Sequence, residues 1–176
     1  SMTSNWKGID LDKVKDFVVT KTESFILTTD GKIYSYGDNL SAQLGNGTSS
    51  IKAENYLKPS RVLFGDSLTY KNYKWEKVFA ISESVFAFKK SGGKHVLYAW
   101  GKNKDFNLGI ENDIIIRKPR LVTVGEENKS IYLNQIKMTD GIVQFKPFNG
   151  GFMYIDTAGD LWAAGENLFQ DSWRPL

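Results

Sequence analysis

Large apolar and small side chains alternate through Ile33-Tyr34-Ser35-Tyr36-Gly37. The same alternation returns in Val96-Leu97-Tyr98-Ala99-Trp100-Gly101 and in Leu161-Trp162-Ala163-Ala164-Gly165. A period of two belongs to a strand, whose successive side chains point to opposite faces. Neither face is polar, so each strand is predicted to be covered on both sides. The three glycines stand at 37, 101 and 165, two intervals of 64 residues. A repeat at fixed spacing sets the architecture before any single residue does.

Each period carries further short apolar runs. In the first, Phe17-Val18-Val19 and Ser24-Phe25-Ile26-Leu27-Thr28 precede Asp30-Gly31, which reads as a two-residue hairpin turn, and Pro59-Ser60-Arg61-Val62-Leu63-Phe64 closes the unit. The second runs through Val78-Phe79-Ala80, Val85-Phe86-Ala87-Phe88, the Gly92-Gly93 turn and Pro119-Arg120-Leu121-Val122; the third through Phe145, Phe152-Met153-Tyr154-Ile155, Ala158-Gly159 and Pro175. Four short strands per period read as one propeller blade. The predicted fold is all-β: a partial β-propeller, an open arc of three four-stranded antiparallel blades on a 64-residue repeat. Ser1-Met2 reads as the remnant of a cleaved tag, followed by an N-terminal segment at 3–13. Blade 1 is placed at 14–64, a connector at 65–77, blade 2 at 78–124, a connector at 125–141 and an incomplete blade 3 at 142–176. Closed propellers have about 4–8 blades, so an arc of three is expected to leave end faces bare and open to self-association through its blade edges. The segment around Trp6, Ile9 and Leu11 could supply a pairing strand.

Composition narrows the chemistry. The 176 residues include no cysteine and one histidine, with a net charge of +3. Disulfides and thiolate chemistry are therefore absent, and no run of 18 apolar residues spans a membrane. There is no Gly-rich phosphate loop and no His-Glu-x-x-His. His95, beside Gly92-Gly93, reads as a solvated turn residue; the pairs Asp10/Asp12 and Glu126/Glu127 read as solvated acids. Side-chain catalysis is not expected, nor a cofactor or metal. The basic series Lys89, Lys90, Lys94, Lys102, Lys104 divides between two rims of an up-and-down blade, so it does not make the single phosphate-tracking surface that nucleic acid requires.

Asp30-Gly31, Ile33-Tyr34-Ser35-Tyr36-Gly37, Asn39 and Gln43-Leu44-Gly45-Asn46-Gly47 together resemble the repeat of the regulator of chromosome condensation. Trp100-Gly101-Lys102-Asn103 and Leu108-Gly109 repeat the resemblance, which covers residues 14–176. The family repeat carries Gly-x-x-His entering its second strand. Those places fall here on Thr20 and Glu23, on Ala80 and Glu83, and near Gly151. The resemblance implies a binding propeller for a protein partner, with a small GTPase as one partner class. Its namesake is a guanine-nucleotide exchange factor, so exchange, including by a bacterial effector imitating a host, is the alternative; a chromatin or nucleic-acid-binding propeller is the second. The expected setting is intracellular, cytoplasmic or nuclear, or inside another cell for a secreted effector.

Rigid blades with long loops make a recognition surface without catalytic groups. The candidate rim comprises Asp38, Asn39, Lys102, Asn103, Lys104, Asp105, Phe106, Glu166, Asn167 and Phe169, on loops 38–57 and 102–118 and in the third unit. Phe106 and Phe169 are the predicted aromatic anchors. Asn39, Asn103 and Asn167 recur at 64 and are expected to satisfy turn backbone.

Overall fold

The computed structural model describes residues 13–63, 74–91, 94–104, 107–110, 114–122, 141–165 and 174–175. Three four-stranded antiparallel sheets follow one another along the chain. Blade 1 contains β1 (Val14–Val19), β2 (Glu23–Thr28), β3 (Ile33–Gly37) and β4 (Ser60–Arg61). Blade 2 contains β5 (Lys77–Ile81), β6 (Ser84–Ser91), β7 (Lys94–Lys102) and β8 (Ile115–Leu121). Blade 3 contains β9 (Ile142–Phe148), β10 (Gly151–Asp156), β11 (Leu161–Gly165) and β12 (Arg174–Pro175). Each blade pairs its strands in chain order, the partial propeller that the 64-residue period implies. The first strands of neighbouring blades, β1 and β5, then β5 and β9, lie side by side. Residues 1–12, with Trp6, Ile9 and Leu11, lie outside the described residues, as does Gly92-Gly93.

The repeat glycines have a steric cause. Gly37, Gly101 and Gly165 have φ of +119°, +94° and +135°, and a Cβ there would lie 2.1–2.2 Å from the carbonyl oxygen of Thr22, Glu83 or Gly150. Each glycine thus lets the end of its third strand close on the turn between the first two. The cross-strand register refines the repeat alignment. Glu23 lies opposite Gly37, Ser84 opposite Gly101 and Gly151 opposite Gly165. The counterparts of Thr20 and Glu23 in blade 2 are therefore Ile81 and Ser84. Ala80 and Glu83 each lie one residue too early: both blades use a two-residue turn here, Lys21-Thr22 and Ser82-Glu83, but the hairpin that follows spans 17 residues from Ser84 to Gly101 (101 − 84) against 14 from Glu23 to Gly37 (37 − 23).

Two other expectations shift. The first hairpin loop has three residues, Thr29-Asp30-Gly31, closed by the Thr28 N–H donating to the Lys32 carbonyl at 2.9 Å, with Gly31 at φ +80°. A three-residue loop ending in a left-handed residue is a standard hairpin solution. The fourth strand of blade 1 is Ser60–Arg61 alone. Beyond it the Val62 N–H still donates to the Ile33 carbonyl of β3, but the Leu63 N–H donates to Gly45, so from Leu63 the chain leaves the ladder to hold its own loop. In blade 2, Pro119 sits inside β8, where the register with β7 shifts between Ala99 and Gly101, a bulge that tolerates a residue without an N–H.

The core lies between the blades. At the first joint the Trp100 side chain is fully buried and its indole N–H donates to the Gln43 carbonyl at 2.9 Å. Trp75 packs against it with ring centres 6.2 Å apart. At the second joint Phe145 lies 4.8 Å from Phe79 and 5.4 Å from Phe86, and Phe152 lies 5.0 Å from Phe86. Such offset aromatic pairs add about 0.5–1.5 kcal/mol each beyond the area they bury.

His95 belongs to this second joint and is no solvated turn residue. Its side chain is 12% exposed and it lies within β7. Nδ1 accepts the Ile142 N–H at 2.6 Å, Nε2 meets the Glu76 carboxylate at 3.2 Å, and the ring packs on Phe88 at 4.8 Å. An acceptor at Nδ1 and a carboxylate at Nε2 assign the proton to Nε2. The hairpin on which the sequence places His95 is extended by longer β6 and β7 strands, which carry the ring onto blade 3.

Candidate protein-interaction rim

In an up-and-down blade alternate connections share one end. The β1–β2, β5–β6 and β9–β10 turns therefore lie with the long β3–β4 and β7–β8 loops. This end is the candidate rim.

The β3–β4 loop is built around Asn39, which is fully buried. Its Oδ1 accepts the Leu44 N–H at 3.0 Å, and its Nδ2 donates to the Thr48 hydroxyl at 2.9 Å. Asn103 repeats the device: Oδ1 accepts the Leu108 N–H at 3.1 Å and Nδ2 donates to the Ile110 carbonyl at 2.7 Å. The recurring asparagines therefore satisfy the loop backbone from within, and neither presents its amide to a partner. Asp38 is also engaged, its Oδ1 accepting the Asn39 N–H at 2.7 Å. Of the described candidates, Lys104 is exposed and Lys102 half-exposed. Asp105, Phe106, Glu166, Asn167 and Phe169 lie outside the described residues.

The loop also reaches across the first joint. The Ser41 hydroxyl donates to one Glu83 oxygen at 2.8 Å, and Lys102 holds the other at 2.7 Å. The Gln43 amide donates at 2.8 Å to Glu23, a buried carboxylate that also accepts from the Thr20 and Thr22 hydroxyls. In blade 2 the Asn107 amide donates to the Ser84 hydroxyl at 2.8 Å, one repeat after Gln43 and Glu23. A cleft of about 240 Å³ opens beside it, lined by Glu83, Ser84, Lys102, Lys104, Asn107 and Gly150 among others.

Hydrogen bonds from Lys102 and then Ser41, against the opposing effect of burial, hold the Glu83 carboxyl below its ordinary value of 4.5. A depressed folded-state pKa contributes stability above the unfolded value and loses it as pH falls through the folded one. The melting temperature of the wild type is therefore expected to exceed that of Glu83→Gln at neutral pH, with the gap closing below about pH 4. A gap that persists unchanged from pH 7 to pH 3 would refute a role for the ionised group.

Exposed apolar side chains mark the rim more clearly than charge does. Leu40 (55%), Ile51 (60%) and Leu57 (62%) stand out on the β3–β4 loop and Ile114 (74%) on the β7–β8 loop. Ile51 and Leu57 flank a 3-10 turn at Ala53–Tyr56, pinned from inside by Asn55, whose Nδ2 donates to the Ser50 carbonyl at 2.9 Å. Sequence reasoning missed these aliphatics as site residues: Leu40 and Ile51 stand singly among polar neighbours with no periodic signal, Leu57 follows Tyr56, and Ile114 opens the run Ile114-Ile115-Ile116, which leads into a strand.

No protein-family model matches the chain. The X-linked retinitis pigmentosa GTPase regulator of Canis lupus familiaris is 28% identical over 120 residues, 68% of this chain and 11% of that protein. Among solved structures, human WBSCR16 matches with a TM-score of 0.65 at 20% identity, over 89% of this chain and 34% of that one. A chain of the complex of Kap60 with yeast RCC1 (Prp20) gives a TM-score of 0.63 at 18% identity, over 92% and 37%. Prp20p from Saccharomyces cerevisiae, described with its binding to Gsp1p and histones, gives 0.62 at 18%, over 94% and 38%. The chain thus spans about a tenth of that relative and little more than a third of those solved chains.

Proposed function

We propose, for a chain whose blades have the fold of the regulator-of-chromosome-condensation propeller, a protein-interaction module that binds its partner across the rim of the long loops. The observation that carries the reading is the set of exposed aliphatics, Leu40, Ile51, Leu57 and Ile114, on rim loops whose backbone is held rigid from within. Rigid loops lose little entropy on docking, so their apolar tips convert efficiently into affinity. Lys102, Lys104 and, in the sequence, Asp105, Phe106, Glu166, Asn167 and Phe169 complete the proposed contact surface.

A small GTPase is the partner class to try first. A GTPase regulator is the relative matched in sequence, and one structural neighbour is described with its binding to Gsp1p and histones. No described helix is long and apolar enough to cross a membrane, and a cytoplasmic or nuclear setting is part of the proposal. Binding to a panel of small GTPases, each nucleotide-free and nucleotide-loaded, tests it. Ile51→Asp with Leu57→Asp is expected to weaken the partner's binding at least about tenfold, as loss of more than 1.4 kcal/mol from an interface anchor does, and to leave the melting temperature in place because both side chains are exposed. Unchanged affinity would move the partner off this rim. Faster nucleotide release at substoichiometric amounts of the protein would instead assign exchange, which works by favouring the nucleotide-free GTPase.

A further inference from the structure

The chain holds two Asn-Gly pairs, Asn46-Gly47 and Asn149-Gly150. Asparagine is a thermolabile residue. The backbone nitrogen that follows it can attack the side-chain amide carbon, and a glycine in that place leaves the nitrogen unhindered. The two pairs stand in opposite settings. Asn46 is half-buried and held on both sides of its amide: Nδ2 donates to the Ser60 hydroxyl at 3.1 Å, and Oδ1 accepts the Thr48 N–H at 3.1 Å and the Thr48 hydroxyl at 2.6 Å. The Gly47 N–H, which would have to attack, donates to the Arg117 carbonyl of blade 2 at 3.0 Å. Reaction there requires the β3–β4 loop to come away from β8.

Asn149 is exposed, and with Gly150 it makes up the whole turn between β9 and β10, since Phe148 already pairs with Gly151. Among the described residues, nothing accepts the Gly150 N–H and nothing holds the Asn149 amide. Gly150 and Gly151 follow in succession, with Gly150 at φ +113°, so the backbone that must rotate carries no side chain to resist it.

We propose that Asn149 is a site of spontaneous deamidation in the folded protein, with water as co-reactant, and that the fold spares Asn46. The Gly150 nitrogen gives its proton to solvent base and bonds to Asn149 Cγ; the Cγ–Nδ2 bond breaks, ammonia leaves and a cyclic imide forms. Water then opens the imide at one of its two carbonyl carbons. Opening at Cγ gives aspartate, and opening at the main-chain carbon gives isoaspartate. Nothing is oxidised or reduced: an amide and water become a carboxylate and ammonium. Asn149 lines the cleft that also holds Glu83, Lys102 and Lys104, so either product adds a negative charge at the rim. Isoaspartate also lengthens the backbone of a turn on which β11 closes tightly, since a Cβ on Gly165 would lie 2.1 Å from the Gly150 carbonyl oxygen. The site is independent of the partner proposed above, because the reaction uses only the chain and solvent.

The two pairs within one chain make the test internal. The protein is incubated in mildly alkaline buffer, digested, and its peptides are weighed and separated to resolve aspartate from isoaspartate. At least about tenfold more product is expected at Asn149 than at Asn46, because reaction at Asn46 requires several native hydrogen bonds to open first. Both products are expected at Asn149, and the intact reacted chain should elute earlier from a cation exchanger. In concentrated urea, where both pairs lose their settings, the two sites should react at similar rates. Asn149→Gln is expected to abolish the fast product and the shift in elution. Equal rates at the two sites in the folded protein, or no product at Asn149, overturn the proposal. A preference for Asn149 that persists undiminished in urea would also overturn it, since the fold would then not be its cause.

Discussion

Trp100→Ala is expected to lower the melting temperature by about 10 °C, since truncating a buried tryptophan costs about 3–5 kcal/mol and a domain of this size loses about 2–4 °C per kcal/mol. The indole is fully buried at the first joint, and its N–H is committed to the Gln43 carbonyl. Gly45 approaches so closely that a Cβ there would lie 2.7 Å from the indole nitrogen. The loop cannot follow a smaller side chain inward, because Asn39 and Gln43 anchor it elsewhere. A cavity between blades is the result. Trp100→Phe separates the two contributions: it keeps most of the apolar bulk and removes the donor, for an expected cost of about 1–3 kcal/mol. A thermal scan showing less than about 2 °C of loss for Trp100→Ala would mean that the joint rests on other contacts.

Gly101→Ala is the second large effect. Its Cβ would lie 2.2 Å from the Glu83 carbonyl oxygen, in a backbone conformation of φ +94° that alanine resists. That oxygen already accepts the Lys102 N–H at 2.9 Å, so relief requires the whole β5–β6 turn to move. Left-handed strain of about 1–2 kcal/mol adds to overpacking of about 1–3 kcal/mol. Gly159→Ala provides the control. It has φ +90° and nothing within 4 Å of its Cβ, so strain alone applies. Urea unfolding should show Gly101→Ala losing at least about twice the stability lost by Gly159→Ala. Equal losses would show that backbone conformation, rather than the close carbonyl, explains the repeat glycine.

Much of this arrangement could be read from the chain. Strand alternation around Tyr34, Tyr98 and Trp162, and glycines repeating every 64 residues, are local signals and translate directly into the third strand of each blade. The loop asparagines were readable for the same reason, since Asn39 serves Leu44 only five residues away. Contacts between blades were not. Ser41 with Glu83 and Gln43 with Trp100 join residues 42 and 57 positions apart, and no periodicity encodes such a meeting. The slip from Ser84 to Glu83 arose because sequence alignment weighs residue likeness, whereas the register is set by a β6–β7 hairpin three residues longer than the β2–β3 hairpin. His95 was misplaced because a polar ring beside two glycines looks solvated. Its backbone donor, the Ile142 N–H, lies 47 residues away.

That same ring has a use in spectroscopy. The chain holds one histidine, so the imidazole nitrogen signals of a labelled sample report a single place, the seam between the second and third blades. With the proton on Nε2 and Nδ1 accepting a backbone N–H, the two nitrogens differ in magnetic environment for as long as the seam stays shut. If blade 3 swings away, Nδ1 loses its donor, the tautomers mix and the two signals converge. One residue thereby reads the opening of the arc, distinct from global unfolding and without any added probe.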